Sequence, residues 1–241
     1  MPTLGSAAEG FGLTASGTWW HPWVRGKIAI TRGGEPGSAT ATDVADDLGL
    51  GGANEGNGEL VLTYARHRFG VSYQPLGFDG DETVRRSFVF HGATYPTGER
   101  VHSHLDLASW VPRYEYTLID DSRVRLSAGP RAVVWSFDAS VGGTGPGGRL
   151  SEHRSFTHVL PALGGEAMEP LGAWFLYEKL AFGLLGSDRY EVDAGGGGGL
   201  RAGEHVELEL GYRWLKFRFH ETTNTGDLTF AGPVAALTLR F

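Results

Sequence analysis

Along most of the chain apolar side chains recur at every second position, the period of a strand with two unlike faces. The last segment shows it plainly: Ala235, Leu237, Leu239 and Phe241 share one face, and Ala236, Thr238 and Arg240 the other. Before it, Val206, Leu208, Leu210, Tyr212 and Trp214 oppose Glu207, Glu209, Gly211 and Arg213. The same division sets Val124, Leu126, Ala128, Ala132 and Val134 against Arg123, Arg125, Ser127, Gly129 and Arg131. Shorter versions place Leu60, Leu62 and Tyr64 opposite Glu59 and Thr63, and Phe69, Val71 and Tyr73 opposite Arg68, Ser72 and Gln74. Tyr190, Val192 and Ala194 likewise oppose Glu191 and Asp193. The alternation slips by one residue between Val134 and Trp135 and between Trp214 and Phe217, which predicts a bulge at each place.

Short polar turns are predicted at 65–67, 120–122, 169–172 and 201–204, and longer loops at 32–57, 79–100, 141–150, 186–189 and 221–227. Short and long connections alternate, the habit of an up-and-down antiparallel barrel. Counting from Phe11 gives about ten strands, with eight or twelve left open by the stretch from Thr83 to Phe90. Residues 1–10 read as an N-terminal tail and 11–241 as one all-β barrel domain whose first long loop spans 32–57. A soluble barrel would put the apolar face inside. A transmembrane barrel turns that face to lipid and its charged and small residues to the lumen. Ser127, Gly129, Gly195 and Gly211, set among the charges, suit a confined interior. Tyr64, Tyr73, Tyr114, Tyr116, Tyr212 and Trp214, at the ends of apolar runs, suit girdles at two interfaces.

Composition narrows the choice. The 38 glycines are roughly twice the usual share, and aromatics make up 12% of the chain, which argues against a helical bundle. With 21 Lys and Arg against 28 Asp and Glu the net charge is -7, and no basic run offsets it, so nucleic acid is excluded as a partner. The absence of cysteine rules out disulfides, thiolate metal sites and a Cys nucleophile. No apolar stretch reaches the ~20 residues of a membrane-crossing helix. The first residues carry neither a basic start nor an apolar core, so the expectation is a mature chain without its leader.

On these residues the chain resembles the Gram-negative outer-membrane β-barrel proteins, especially the small single-chain barrels of the OmpA and OmpW type. The terminal Phe241 preceded by Leu239, Leu237 and Ala235 carries most of the likeness. Gly211 to Leu215, Gly232-Pro233 and the run from Asp43 to Leu50 add to it. The resemblance implies a location in the cell outer membrane, surrounded by its lipid and lipopolysaccharide. It also implies that Leu237, Leu239 and Phe241 form the signal read by the barrel-assembly machinery. Oligomeric state stays open, and so does activity, since one barrel architecture hosts pores, enzymes, adhesins and anchors.

The lumen face is expected to carry Glu59, Arg68, Arg113, Glu115, Arg123, Arg125, Arg131, Glu191, Asp193, Glu207, Glu209, Arg213 and Arg240. With both signs present, these residues either pair and fill a narrow barrel or line a narrow polar channel for small solutes. In the first long loop, Asp43, Asp46 and Asp47 precede Leu48 and Leu50, which predicts a short capped helix packing Val44, Leu48 and Leu50 over the barrel mouth. Their spacing is not that of a calcium loop. His91, His102 and His104 are weak candidates for a metal, and no cofactor is expected. An outer-membrane lipid-modifying enzyme could draw on Ser103 with its flanking histidines, or on His153 or His158 near Glu152. A soluble lipocalin-like carrier of an apolar ligand is the third reading, on the short Gly17-Thr18-Trp19 element.

Overall fold

The computed structural model describes residues 11–241 except 36, 146–147 and 222–223; the tail expected over 1–10 lies outside the described residues. The strands are β1 (Phe11–Trp20), β2 (Trp23–Ala29), β3 (Thr42–Asp43), β4 (Glu55–Tyr64), β5 (His67–Thr83), β6 (Phe88–Phe90) and β7 (Ala93–Tyr95). They continue with β8 (Arg100–Asp120), β9 (Arg125–Gly145), β10 (Gly148–Leu171), β11 (Trp174–Leu184), β12 (Tyr190–Arg201), β13 (Val206–Glu221) and β14 (Asn224–Arg240). Ten of them, β1, β4, β5 and β8 to β14, form an antiparallel wall that the pairing of β1 with β14 closes. Leu13 and Phe241 exchange backbone hydrogen bonds of 3.3 and 2.9 Å at that seam. No helix long and apolar enough to cross a membrane is present among the described residues.

Closure leaves no exposed edge in the lower barrel, and the alternation decides which face meets which medium. Leu60, Leu62, Phe69, Val71, Leu163, Leu176, Leu180, Leu208, Leu210, Leu237 and Leu239 all stand outward and exposed, Leu210 at 70%. Phe11 stacks on Tyr64 at the end bearing the termini, and Tyr73 packs on Trp110 toward the other end. This apolar belt between aromatic rows is the surface a bilayer requires.

Beyond the belt the wall splits. The β4–β5 ladder stops at Gly58 and Tyr73, and the β10–β11 ladder at Ala162 and Gly183. Pro75 and Pro161 stand next to these two stops, where a residue without an N–H cannot extend a ladder. Meanwhile β5, β8, β9 and β10 continue together, and β13, β14, β2 and β3 do the same. The two sheets face each other across a dry aromatic core. Trp135 lies 5.3 Å from Phe217, Phe137 5.2 Å from Phe219 and Phe78 5.6 Å from Phe230, measured between ring centres. Each such fully buried side chain contributes roughly 2 kcal/mol over leaving it in water.

Several expectations are corrected by this upper storey. No bulge occurs at Val134/Trp135 or at Trp214/Phe217: the registers run through without a shift, and the inner face simply changes from charged to apolar. The one register shift in the β8–β9 ladder is between Thr117 and Ile119. Most described residues of the loops expected at 141–150 and 221–227 are strand, and Val141 and Asn224 are buried there. In the 79–100 stretch β5 runs on to Thr83, β8 begins at Arg100, and β6 and β7 form a hairpin between them. The first long connection ends before Glu55, where β4 begins.

Candidate functional site

The lower barrel interior is built by the inward positions of the same strands. Three arginines converge on Glu115, which is itself buried: Arg68 at 3.4 Å, Arg113 at 3.4 Å and Arg131 at 3.5 Å. Arg113 also pairs with Glu59, and Arg68 reaches Glu166 at 3.7 Å. On the facing wall Arg213 grips Asp193 with two hydrogen bonds of 2.9 and 2.7 Å and lies over the Trp20 ring at 4.7 Å. Glu191 accepts the Trp135 indole N–H, and Lys179 meets Glu209 at 3.5 Å. Nearer the termini Glu207 receives Arg201 at 3.0 Å and Arg240 at 2.7 Å. Gly164 leaves room for the Arg131 guanidinium, which a Cβ there would push aside.

Most of the expected lumen residues therefore meet in paired clusters, Glu191 being held by the Trp135 N–H rather than by an ion pair. Arg123 does not join them. It lies exposed on the turn after β8, where Asp121 accepts its backbone N–H at 2.7 Å. That bond and a second from Val124 hold the Asp121 carboxyl below its usual range. Arg125 sits at the rim, paired with Asp120 at 3.0 Å. Glu166, Lys179 and Tyr177 are interior residues that the sequence reading missed, although Lys179 alternates with the outward Leu176, Glu178 and Leu180 on β11.

The network lines a cavity of about 170 Å³, bordered by Arg113, Glu115, Arg131, Glu166, Lys179 and Glu209 among others. Directly above it Val133, Trp135, Leu215 and Val24 begin the apolar core, each at most 2% exposed. The first long connection completes the seal, with Val44, Leu48 and Leu50 at 0%, 2% and 2% exposed within that core. No helix forms there. Asp43 accepts the backbone N–H groups of Ala45 and Asp46 at 3.0 Å each, and Asp47 accepts that of Asp43, so the carboxylates brace a run of turns. Asp46 is exposed, and Asp47 also pairs with Arg86 at 3.4 Å.

The histidines are not gathered. His91 donates to Glu152 at 2.8 Å on the inner side, while His102 and His104 face outward from β8. Among the described residues no group of three or more His, Cys, Asp or Glu is spaced to hold a metal ion. His104 bridges Asp79 and Asp106 at 2.7 and 2.8 Å, beyond the apolar belt, and these hydrogen bonds raise its pKa. Ser103 points inward at 4% exposure, so the sheet separates it from both neighbouring imidazoles. His153 faces outward onto Asp138 at 2.6 Å, and Glu152 faces inward to His91 and to Arg32 at 2.6 Å. No nucleophile–base pair results from these residues. The lipocalin-like expectation fails on the same alternation, since Trp19 is exposed outward and the interior at its level is charged.

A closed antiparallel barrel of ten strands, belted by apolar side chains and filled with paired charges, defines a transmembrane β-barrel of the outer-membrane type. Comparison of the folds agrees. The chain is similar to the outer-membrane protease OmpT of Escherichia coli, with a TM-score of 0.64 at 9% identity, over 95% of this chain and 97% of that one. Weaker likenesses reach the toluene transporter TodX of P. putida (TM-score 0.38, 9% identity, 95% and 89% covered). Neisserial surface protein A also matches weakly (TM-score 0.32, 13% identity, 96% and 97% covered). No family model and no curated protein matches the sequence.

Proposed function

We propose that the protein resides in the cell outer membrane as a sealed structural barrel that anchors a rigid β-sandwich at the cell surface. The observation that carries this reading is the apolar core lying across the lumen above the charged cavity. A channel needs a continuous polar path, and dry aromatic packing of this thickness interrupts one. The surrounding lipid and lipopolysaccharide are its partners through the belt, and Leu237 and Leu239 on the closing strand, with Phe241 just past its end, are exposed and available to the assembly machinery. Insertion of the purified barrel into planar bilayers tests the reading. Wild type is expected to give no conductance steps over replicate insertions. Ohmic steps that change when Arg125 or Glu209 is neutralised would establish a narrow channel instead.

A further inference from the structure

Strand register builds a cationic patch on the outer wall just beyond the belt. Across β13, β14 and β2 the outward residues fall into rows. Trp214, Ala231 and Trp23 form the first, Lys216, Thr229 and Arg25 the second, and Arg218, Asp227 and Lys27 the third. With strands ~4.8 Å apart and alternate residues ~6.8 Å apart along a strand, the four cations mark a patch about 10 by 7 Å.

The acids nearby offset only part of it. Asp227 is shared by Lys216, at 3.1 Å, and Arg218. Asp43 neighbours Lys27 across the β2–β3 pair, but its oxygen is held by the Ala45 and Asp46 backbone N–H groups. Asp188 faces Arg218, and Arg189 beside it donates to the His220 carbonyl at 2.9 Å. Arg25 and Lys27 are exposed and form no ion pair among the described residues. The row nearest the tryptophans, Lys216-Thr229-Arg25, contains no acid at all. On the opposite wall the outward residues past Trp110 include Asp79, Asp106 and Asp138, each tied to a histidine.

We infer that this patch binds the phosphates of one lipid headgroup in the leaflet on the long-loop side. Tryptophans mark the level where acyl chains give way to headgroups. Arg25, one row beyond them, and Lys27, two rows beyond, stand without an ion pair at phosphate depth. Arg25 and Lys27, alternate outward residues of β2 just beyond Trp23, give the lipid this seat.

The inference rests on the transmembrane reading, so heat-modifiable migration in detergent is scored first for every variant; failure there would remove the bilayer, not the patch. Folded protein is then examined by native mass spectrometry with lipid A bearing two, one or no phosphates. Wild type is expected to retain one bisphosphorylated molecule. Retention should fall roughly tenfold or more on removing both phosphates, and equally in Arg25→Gln/Lys27→Gln. Arg25→Lys should retain it, as should Arg100→Gln on the opposite wall. Retention indifferent to phosphate number, or unchanged in the double variant, overturns the assignment.

Discussion

Glu115 is the residue on which the lower interior turns, because Arg68, Arg113 and Arg131 all lie within 3.5 Å of its carboxylate. Removing a shared counter-charge strands the partners in a confined space, so Glu115→Gln should cost about 3 kcal/mol, read from urea unfolding out of lipid vesicles. Tyr95 makes a different contribution. Its hydroxyl donates to the Val141 carbonyl at 2.8 Å, tying the β6–β7 hairpin to β9, and burial together with Glu152 and Glu99 pushes its pKa up to about 12. Tyr95→Phe should lose about 1 kcal/mol in the same assay. His104 responds to pH through Asp79 and Asp106, which raise its folded-state pKa. Its stabilisation is complete below the ordinary histidine value of 6.5 and is lost as pH rises through the raised one. An NMR titration should show Asp79→Asn/Asp106→Asn bringing that pKa back down.

Among the elements, the connection after β2 depends on a close approach that only glycine permits. A Cβ at Gly80 would run into the Leu48 carbonyl, so Gly80→Val should lift the segment carrying Leu48 and Leu50 off β5. Limited proteolysis should then cut between residues 37 and 54 in the variant while wild type resists. Strand alternation was readable in the sequence wherever one face meets lipid and the other meets charge, as on Val206–Trp214. It misled where both sides of the upper wall changed character. Past Trp135 and Phe217 the apolar residues moved to the inner face, which looks like a slip of register although none occurs. Pro75 and Pro161 were the available signal for the split, since each marks a ladder's end.

At the scale of the molecule two storeys share ten strands but answer to different solvents. Barrel, belt and lumen charges followed from period and composition, whereas the sandwich did not, because face-to-face packing joins residues such as Phe78 and Phe230 that no local pattern connects. The split ladders bear on how the chain reaches its final form. Strands such as β9 and β10 are 21 and 24 residues long, and their far parts carry Trp135, Phe137, Ala139 and Val141 on β9 and Phe156 and Leu160 on β10 on the face that ends up inside. Until the opposite sheet arrives those rings have nothing to cover them. Insertion must therefore outpace aggregation of a hairpin that is apolar near the belt on one face and beyond it on the other. Slow, chaperone-dependent refolding with fast final closure is the kinetic signature this architecture should leave, and shortening the far hairpins should speed the slow phase.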